Sequence, residues 1–180
     1  GKRSYANIAG VDMYRRILVM IPVSADDAYV VDIFRTRGAS THDWLLHGDA
    51  DESMTATCSL PLAGKRDTML EEGEEWREPQ TNSSRFNAYG VLREMQQAET
   101  DAGFVTTFNY VQRPETDIRI HMLPGTPRRV YLGRSPSIRR ARTNEKQDDT
   151  KVYDYWMPQL LVRSQGQAPL RTTFVAVEEP

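Results

Sequence analysis

The chain has a single cysteine, Cys58, in 180 residues, so it can form no internal disulfide and its fold must rest on a packed core. It has no run of about 18 apolar residues, which excludes a bilayer-spanning helix. The opening Gly1 to Gly10, GKRSYANIAG, lacks the apolar centre of a secretion signal and is expected to be a loosely fixed lead-in. Charge of one sign is also missing. Lys and Arg number 23 against 25 Asp and Glu, so the formal charge is −2 and no global field favours nucleic acid or an anionic membrane. Any polyanion site has to come from local clustering. No repeat, no Gly-rich phosphate loop and no stretch longer than about two helical turns with a clean 3.6-residue period occurs.

Period-two alternation is present instead. In Met13 to Ile21, the residues Ile17, Val19 and Ile21 share one face with Arg15, and Tyr14, Arg16, Leu18 and Met20 take the other, which predicts a strand buried on both sides at its middle. Tyr29 to Gly48 reads as a β-hairpin: two apolar-rich runs flank the turn Arg37-Gly38-Ala39-Ser40. Met54 to Leu60 is a short strand ended by Pro61. Val91 to Glu99 and Phe104 to Val111 bracket Thr100-Asp101-Ala102-Gly103, a second hairpin signal, with Phe104, Thr106, Phe108 and Tyr110 on one face. In Asp117 to Leu123, Ile118, Ile120 and Met122 share a face. Val130 to Leu132, Pro158 to Val162 and Thr172 to Val177 add three strands, with a polar linker at Gln147 to Asp154.

A chain of this length is one domain by default and buries roughly 70% of its unfolded surface. The pattern predicts an all-β fold, a two-sheet antiparallel β-sandwich of jelly-roll-like type, over residues 1–180. Its expected core includes Ile17, Val19, Val31, Ile33, Leu45, Phe108, Ile120, Leu161 and Val175. Residues 64–86 break the pattern with Glu71, Glu72, Glu74, Glu75 and Glu78. They read as a long solvated excursion pinned to the body by Trp76.

Candidate binding residues fall in two places. His42, Trp44 and His47 lie on the second limb of the first hairpin. As a strand, that limb sends His42 and His47 to opposite faces and leaves Asp43 about 13 Å from His47, too far for bonds of about 2 Å to one zinc ion. Each histidine therefore either hydrogen-bonds a neighbouring element or touches substrate. The second place is the basic stretch Arg128, Arg129, Arg134, Arg139, Arg140, Arg142 and Lys146, with Glu145 its only acid. A guanidinium row suits uronate carboxylates or sulfates, since each fork donates two hydrogen bonds. The plain alternative is an exposed loop that balances the acidic excursion. Isolated Cys58 is more at home as a buried, inert residue than as a nucleophile, and no carboxylate pair stands out.

Taken in order, these segments resemble a known family. Tyr14-Arg15-Arg16 before an aliphatic strand, the strand ending Asp32-Ile33-Phe34, the segment His42-Asp43-Trp44 with His47-Gly48, the turn Leu123-Pro124-Gly125, and the ending Val177-Glu178-Glu179-Pro180 are similar to the C-terminal β-sandwich of heparinase II/III-like polysaccharide lyases. The resemblance implies a sandwich that follows a helical toroid in full-length members, a secreted or periplasmic parent, and β-elimination of a uronate-containing polysaccharide. The family's H-x-H-x-D-type segment, which carries a catalytic histidine and a zinc ligand, has no counterpart here. No catalytic or metal residue is therefore carried over, no cofactor is expected in this chain, and zinc is left to the missing part of the parent. The expected role is structural and cleft-lining, with an anionic polysaccharide and the helical toroid as partners and neither nucleic acid nor membrane. A different class stays open: a free-standing carbohydrate-binding or adhesion module.

Overall fold

The computed structural model describes residues 10–74, 88–142 and 151–180. Within them, eleven strands form two antiparallel sheets. They are β1 (Val11–Pro22), β2 (Ala28–Gly38), β3 (Thr41–His47), β4 (Met54–Cys58), β5 (Ala63–Arg66), β6 (Arg93–Thr100), β7 (Phe104–Tyr110), β8 (Asp117–Met122), β9 (Arg128–Pro136), β10 (Trp156–Gln165) and β11 (Arg171–Glu179). A short helix, α1 (Ile138–Ala141), follows β9. One sheet has the order β1-β2-β11-β8-β7-β4 and the other β3-β10-β9-β6-β5. The expected two-sheet sandwich is the observed fold.

The two turns read as hairpins are crossovers between the sheets. β2 pairs with β1 and β11, whereas β3 pairs with β10. The cause lies at Gly38, whose φ of 111° is closed to residues with side chains and where an added Cβ would stand 1.9 Å from the Gly10 carbonyl oxygen. The turn it makes with Ala39 sends the chain out of one sheet and into the other. Likewise β6 pairs with β5 and β9, and β7 with β4 and β8, so Thr100 to Gly103 also changes sheets. Hydrophobic alternation is the same whether two successive strands pair side by side or face each other across a core, so it could not separate the two cases.

The core between the sheets is built from Phe34, Trp44, Phe104, Phe108, Ile120, Leu160, Val162 and Phe174 with their neighbours. Both faces of β9 and β10 are covered. On the far side of the smaller sheet Tyr131 and Leu161 pack with Met69, Leu92 and Met95 in a second core. The first part of the acidic excursion supplies this cover: Ala63–Arg66 forms β5, and Met69 is 1% exposed. That corrects the solvated-loop expectation for residues 64–74, while Trp76 lies outside the described residues.

Of the nine expected core residues, Phe108, Ile120 and Leu161 are buried. Ile17, Val31, Ile33 and Val175 are only half-buried, and Val19 is exposed, because all five lie on the outer face of the six-stranded sheet. Leu45 is half-buried at the second core. The inward face of β2 carries Asp32, Phe34 and Thr36, all buried. Two polar residues on that face reversed the expected phase. β1 is an edge strand, and its middle is open on both sides at Leu18, Val19 and Met20, contrary to the expected double burial.

Candidate functional site

His42 is buried, and both its ring nitrogens are engaged: Nδ1 is 2.8 Å from Thr172 Oγ1 and Nε2 is 2.5 Å from the Gly38 carbonyl oxygen. It thereby braces the first crossover. Trp44 is 1% exposed and donates from Nε1 to Asp32 Oδ2 at 2.7 Å. Arg16 completes this site with three contacts of 2.6–3.0 Å from its guanidinium to the same carboxylate. A buried carboxylate is tolerated only when hydrogen-bonded and paired, and Asp32 is both. His47 is exposed on the opposite face from His42, with Nδ1 2.7 Å from the Gly48 carbonyl oxygen. The three side chains are thus not brought together.

A cleft of 550 Å³ opens beside the free edge of β3. Tyr14 and Phe34 of the six-stranded sheet form one wall, and Asp43, Glu71, Glu74, Tyr89 and Arg163 form much of the other. At its base lies an ion-pair network that the sequence did not reveal. Arg163, 4% exposed, donates from Nε and Nη2 to the two oxygens of Asp43, each at 2.8 Å, and from Nη1 to Glu71 Oε1 at 2.8 Å. Tyr89 donates its hydroxyl to Asp43 Oδ2 at 2.5 Å. Burial, then the Asp43 carboxylate, pushes the Tyr89 hydroxyl above its ordinary value of 10.0. Burial opposes the Arg163 charge, but hydrogen bonding and attraction from Asp43 outweigh it and hold the proton more tightly than usual. These residues are separated by up to 120 positions, and no spacing rule joins them.

The basic stretch is tied to the body along most of its length. Arg128 is buried and donates from Nη2 to the carbonyls of Ala102 and Leu123, so it braces the second crossover as His42 braces the first. Burial holds its pKa below the ordinary arginine value, with Asp101 opposing. Arg129 bonds Glu99, and Arg134 bonds Glu94 while stacking on Trp156 at 4.4 Å. Arg139 pairs with Asp51 at 2.7 Å and is itself 73% exposed. Arg140 reaches Ser53 Oγ at 3.2 Å and lies over Tyr155. Arg142 closes α1 with its backbone N–H on the Ile138 carbonyl. Lys146 and Glu145 lie outside the described residues. The guanidiniums do not form one row, because strand β9 alternates its faces and α1 turns its own side chains toward the 49–53 loop.

Comparison with protein-family models, curated proteins and solved structures finds no match.

Among the described residues, no group of three or more His, Cys, Asp or Glu side chains is placed to hold a metal ion. No described helix is long and apolar enough to cross a membrane. Half-buried Cys58 accepts a weak contact from Thr106 Oγ1 at 3.6 Å.

Proposed function

We propose that this chain is the β-sandwich portion of a heparinase II/III-like polysaccharide lyase, structural and cleft-lining and not catalytic alone. The parent cleaves a uronate-containing anionic polysaccharide by β-elimination, outside the cytoplasm, with a helical toroid domain as the sandwich's partner. The ordered sequence resemblance supports the family, and the two-sheet sandwich agrees with it. One observation carries the non-catalytic role. His42, Asp43, Glu71, Glu74, Tyr89 and Arg163, which line the cleft, each already hold a hydrogen-bond partner within the fold. A base for β-elimination has to meet the proton beside the uronate carboxylate. Here His42 is spent on Gly38 and Thr172, Asp43, Glu71 and Tyr89 are spent on the network around Arg163, and the raised Tyr89 pKa keeps its hydroxyl protonated at neutral pH.

The test is the purified chain on a panel of glycosaminoglycans and alginate, followed by absorbance of unsaturated uronate products. The trace is expected to stay flat, and a metal-independent rise overturns the non-catalytic assignment. Toroid helices and an H-x-H segment in the upstream coding sequence support the lyase reading. A stop codon or an unrelated module there replaces it with a free-standing binding module.

A further inference from the structure

The outer face of the six-stranded sheet carries a charge cluster that no sequence window shows. Strand register sets Arg15 of β1 directly opposite Arg35 of β2, and Arg37 of β2 directly opposite Arg171 of β11. All four lie on the odd-numbered face, away from the core residues Phe34 and Phe174. The two rows are two residues apart, about 7 Å, and neighbouring strands are about 4.8 Å apart. Four guanidinium stems therefore rise from a patch about 12 Å across. Arg35, Arg37 and Arg171 line a shallow cavity of 290 Å³ together with Met13 and Thr173.

Among the described residues, one acid serves this cluster. Asp12 Oδ1 accepts from Arg37 Nε at 2.6 Å, and that bond, foremost, holds the Asp12 carboxyl below its ordinary value, with Arg171 adding attraction from further off. Arg15, Arg35 and Arg171 make no ion pair among the described residues. Like charges directly opposite each other across strands are unfavourable, so the free face stores repulsion that a bound anion relieves. The contrast with the 128–142 stretch is direct, since Arg129, Arg134 and Arg139 there each hold a carboxylate.

We propose that Arg15, Arg35, Arg37 and Arg171 form a binding face for an anionic glycan, a chain bearing carboxylates or sulfates. The planar fork of arginine matches both groups with paired hydrogen bonds, and four forks on a flat sheet suit an extended chain with repeated charges. No aromatic side chain lines the cavity, so it offers no surface on which nucleic acid bases stack. By contrast, the 550 Å³ cleft sets the carboxylates of Asp43, Glu71 and Glu74 against Arg163 among the described residues, a charge balance that does not suit such a chain. The lyase reading enters only through the choice of probe: lyase product from this chain overturns that reading and leaves this face untouched.

The test is fluorescence anisotropy of the 180-residue chain with labelled heparin and alginate oligosaccharides at low salt, repeated as salt is raised. Arg35→Thr with Arg171→Thr is expected to weaken binding about tenfold or more, with a shallower salt dependence, since each lost fork removes charged hydrogen bonds. Its melting temperature is expected to hold or rise, because two like-charge contacts are gone, whereas a structural role predicts a fall. Arg139→Ser with Arg140→Ser is expected to change binding by less than about twofold. The proposal fails if the wild-type chain binds neither glycan at low salt. It also fails if the Arg35/Arg171 variant binds as the wild type does, or if a DNA duplex of matched charge binds as tightly as the glycans.

Discussion

The two outer faces of the sandwich begin from the same kind of sequence and meet different ends. On the smaller sheet, Tyr131 and Leu161 point outward from β9 and β10 and are fully buried against Met69, Tyr89 and Leu92, with the Arg163–Asp43 pair sealed beside them. On the larger sheet, Val31, Ile33 and Val175 point outward just as regularly and remain half-open, flanked by four arginines. An apolar residue on a strand thus reports that some face is worth covering, and the cover comes from elsewhere in the chain. Where it comes, charges must be paired to be enclosed. Where it does not, unpaired charges can stand on the surface.

The sharpest way to break this contrast is at the sealed pair. Asp43→Ala leaves Arg163 buried without its main partner and is expected to cost about 3–5 kcal/mol, read as a fall in melting temperature. Asp43→Leu with Arg163→Met, which removes both charges, is expected to restore most of that stability. A single variant as stable as the double one would show that the pair is not sealed.

A middle-sized effect is expected at Glu178, at the inner margin of the larger sheet. Its Oε1 is buried without a partner, and burial foremost, then Asp32, raise its pKa above the ordinary 4.5 while Arg16 opposes. A raised carboxyl pKa means that the folded state binds the proton more tightly than the unfolded one. Its stabilising contribution is complete below about pH 4.5 and is lost as pH rises through the folded value. Glu178→Gln is therefore expected to raise the melting temperature at neutral pH and to lose that advantage in acid. A variant equally stabilised at both pH values would refute the linkage.

The smallest effect belongs to the open face. Val31→Thr or Ile33→Thr is expected to shift stability by no more than about 1 kcal/mol, whereas Leu161→Thr on the covered face is expected to cost about 2 kcal/mol or more. Equal losses at the two faces, measured by denaturant unfolding, would mean that the larger sheet is covered after all.

Much of the fold was legible because alternation survives in most strands. The inward face of β7, with Phe104, Thr106 and Phe108, was read correctly, and so was that of β8 with Ile120 and Met122. β2 was read in the wrong phase, because Asp32 and Thr36 point inward and no local pattern shows that Arg16 and Trp44 wait to pair with that carboxylate. The binding residues chosen from type alone fared differently. His42 and Arg128 are chemically versatile groups that the fold uses as braces on backbone carbonyls at two of its crossovers between the sheets. Arg35 and Arg171 attracted no notice and Arg15 was read only as part of its own strand, since the three are dispersed over 157 positions of the chain.

By itself, the sequence determined what each residue can do locally: strand propensity, the period of two, the glycine turn at Gly38 and the absence of staples, of long helical periodicity and of global charge. These depend on neighbours a few positions away and need no knowledge of the whole. Tertiary structure alone decided which strands lie side by side and which face each other, and hence which side of β2 is inside. It also decided which charges are paired. Pairing depends on register between strands far apart in sequence, and a one-residue change of register moves a side chain to the opposite face of its sheet. The same composition that averages to −2 along the chain is therefore resolved in space into a sealed Arg163–Asp43 pair on one side and an open arginine face on the other.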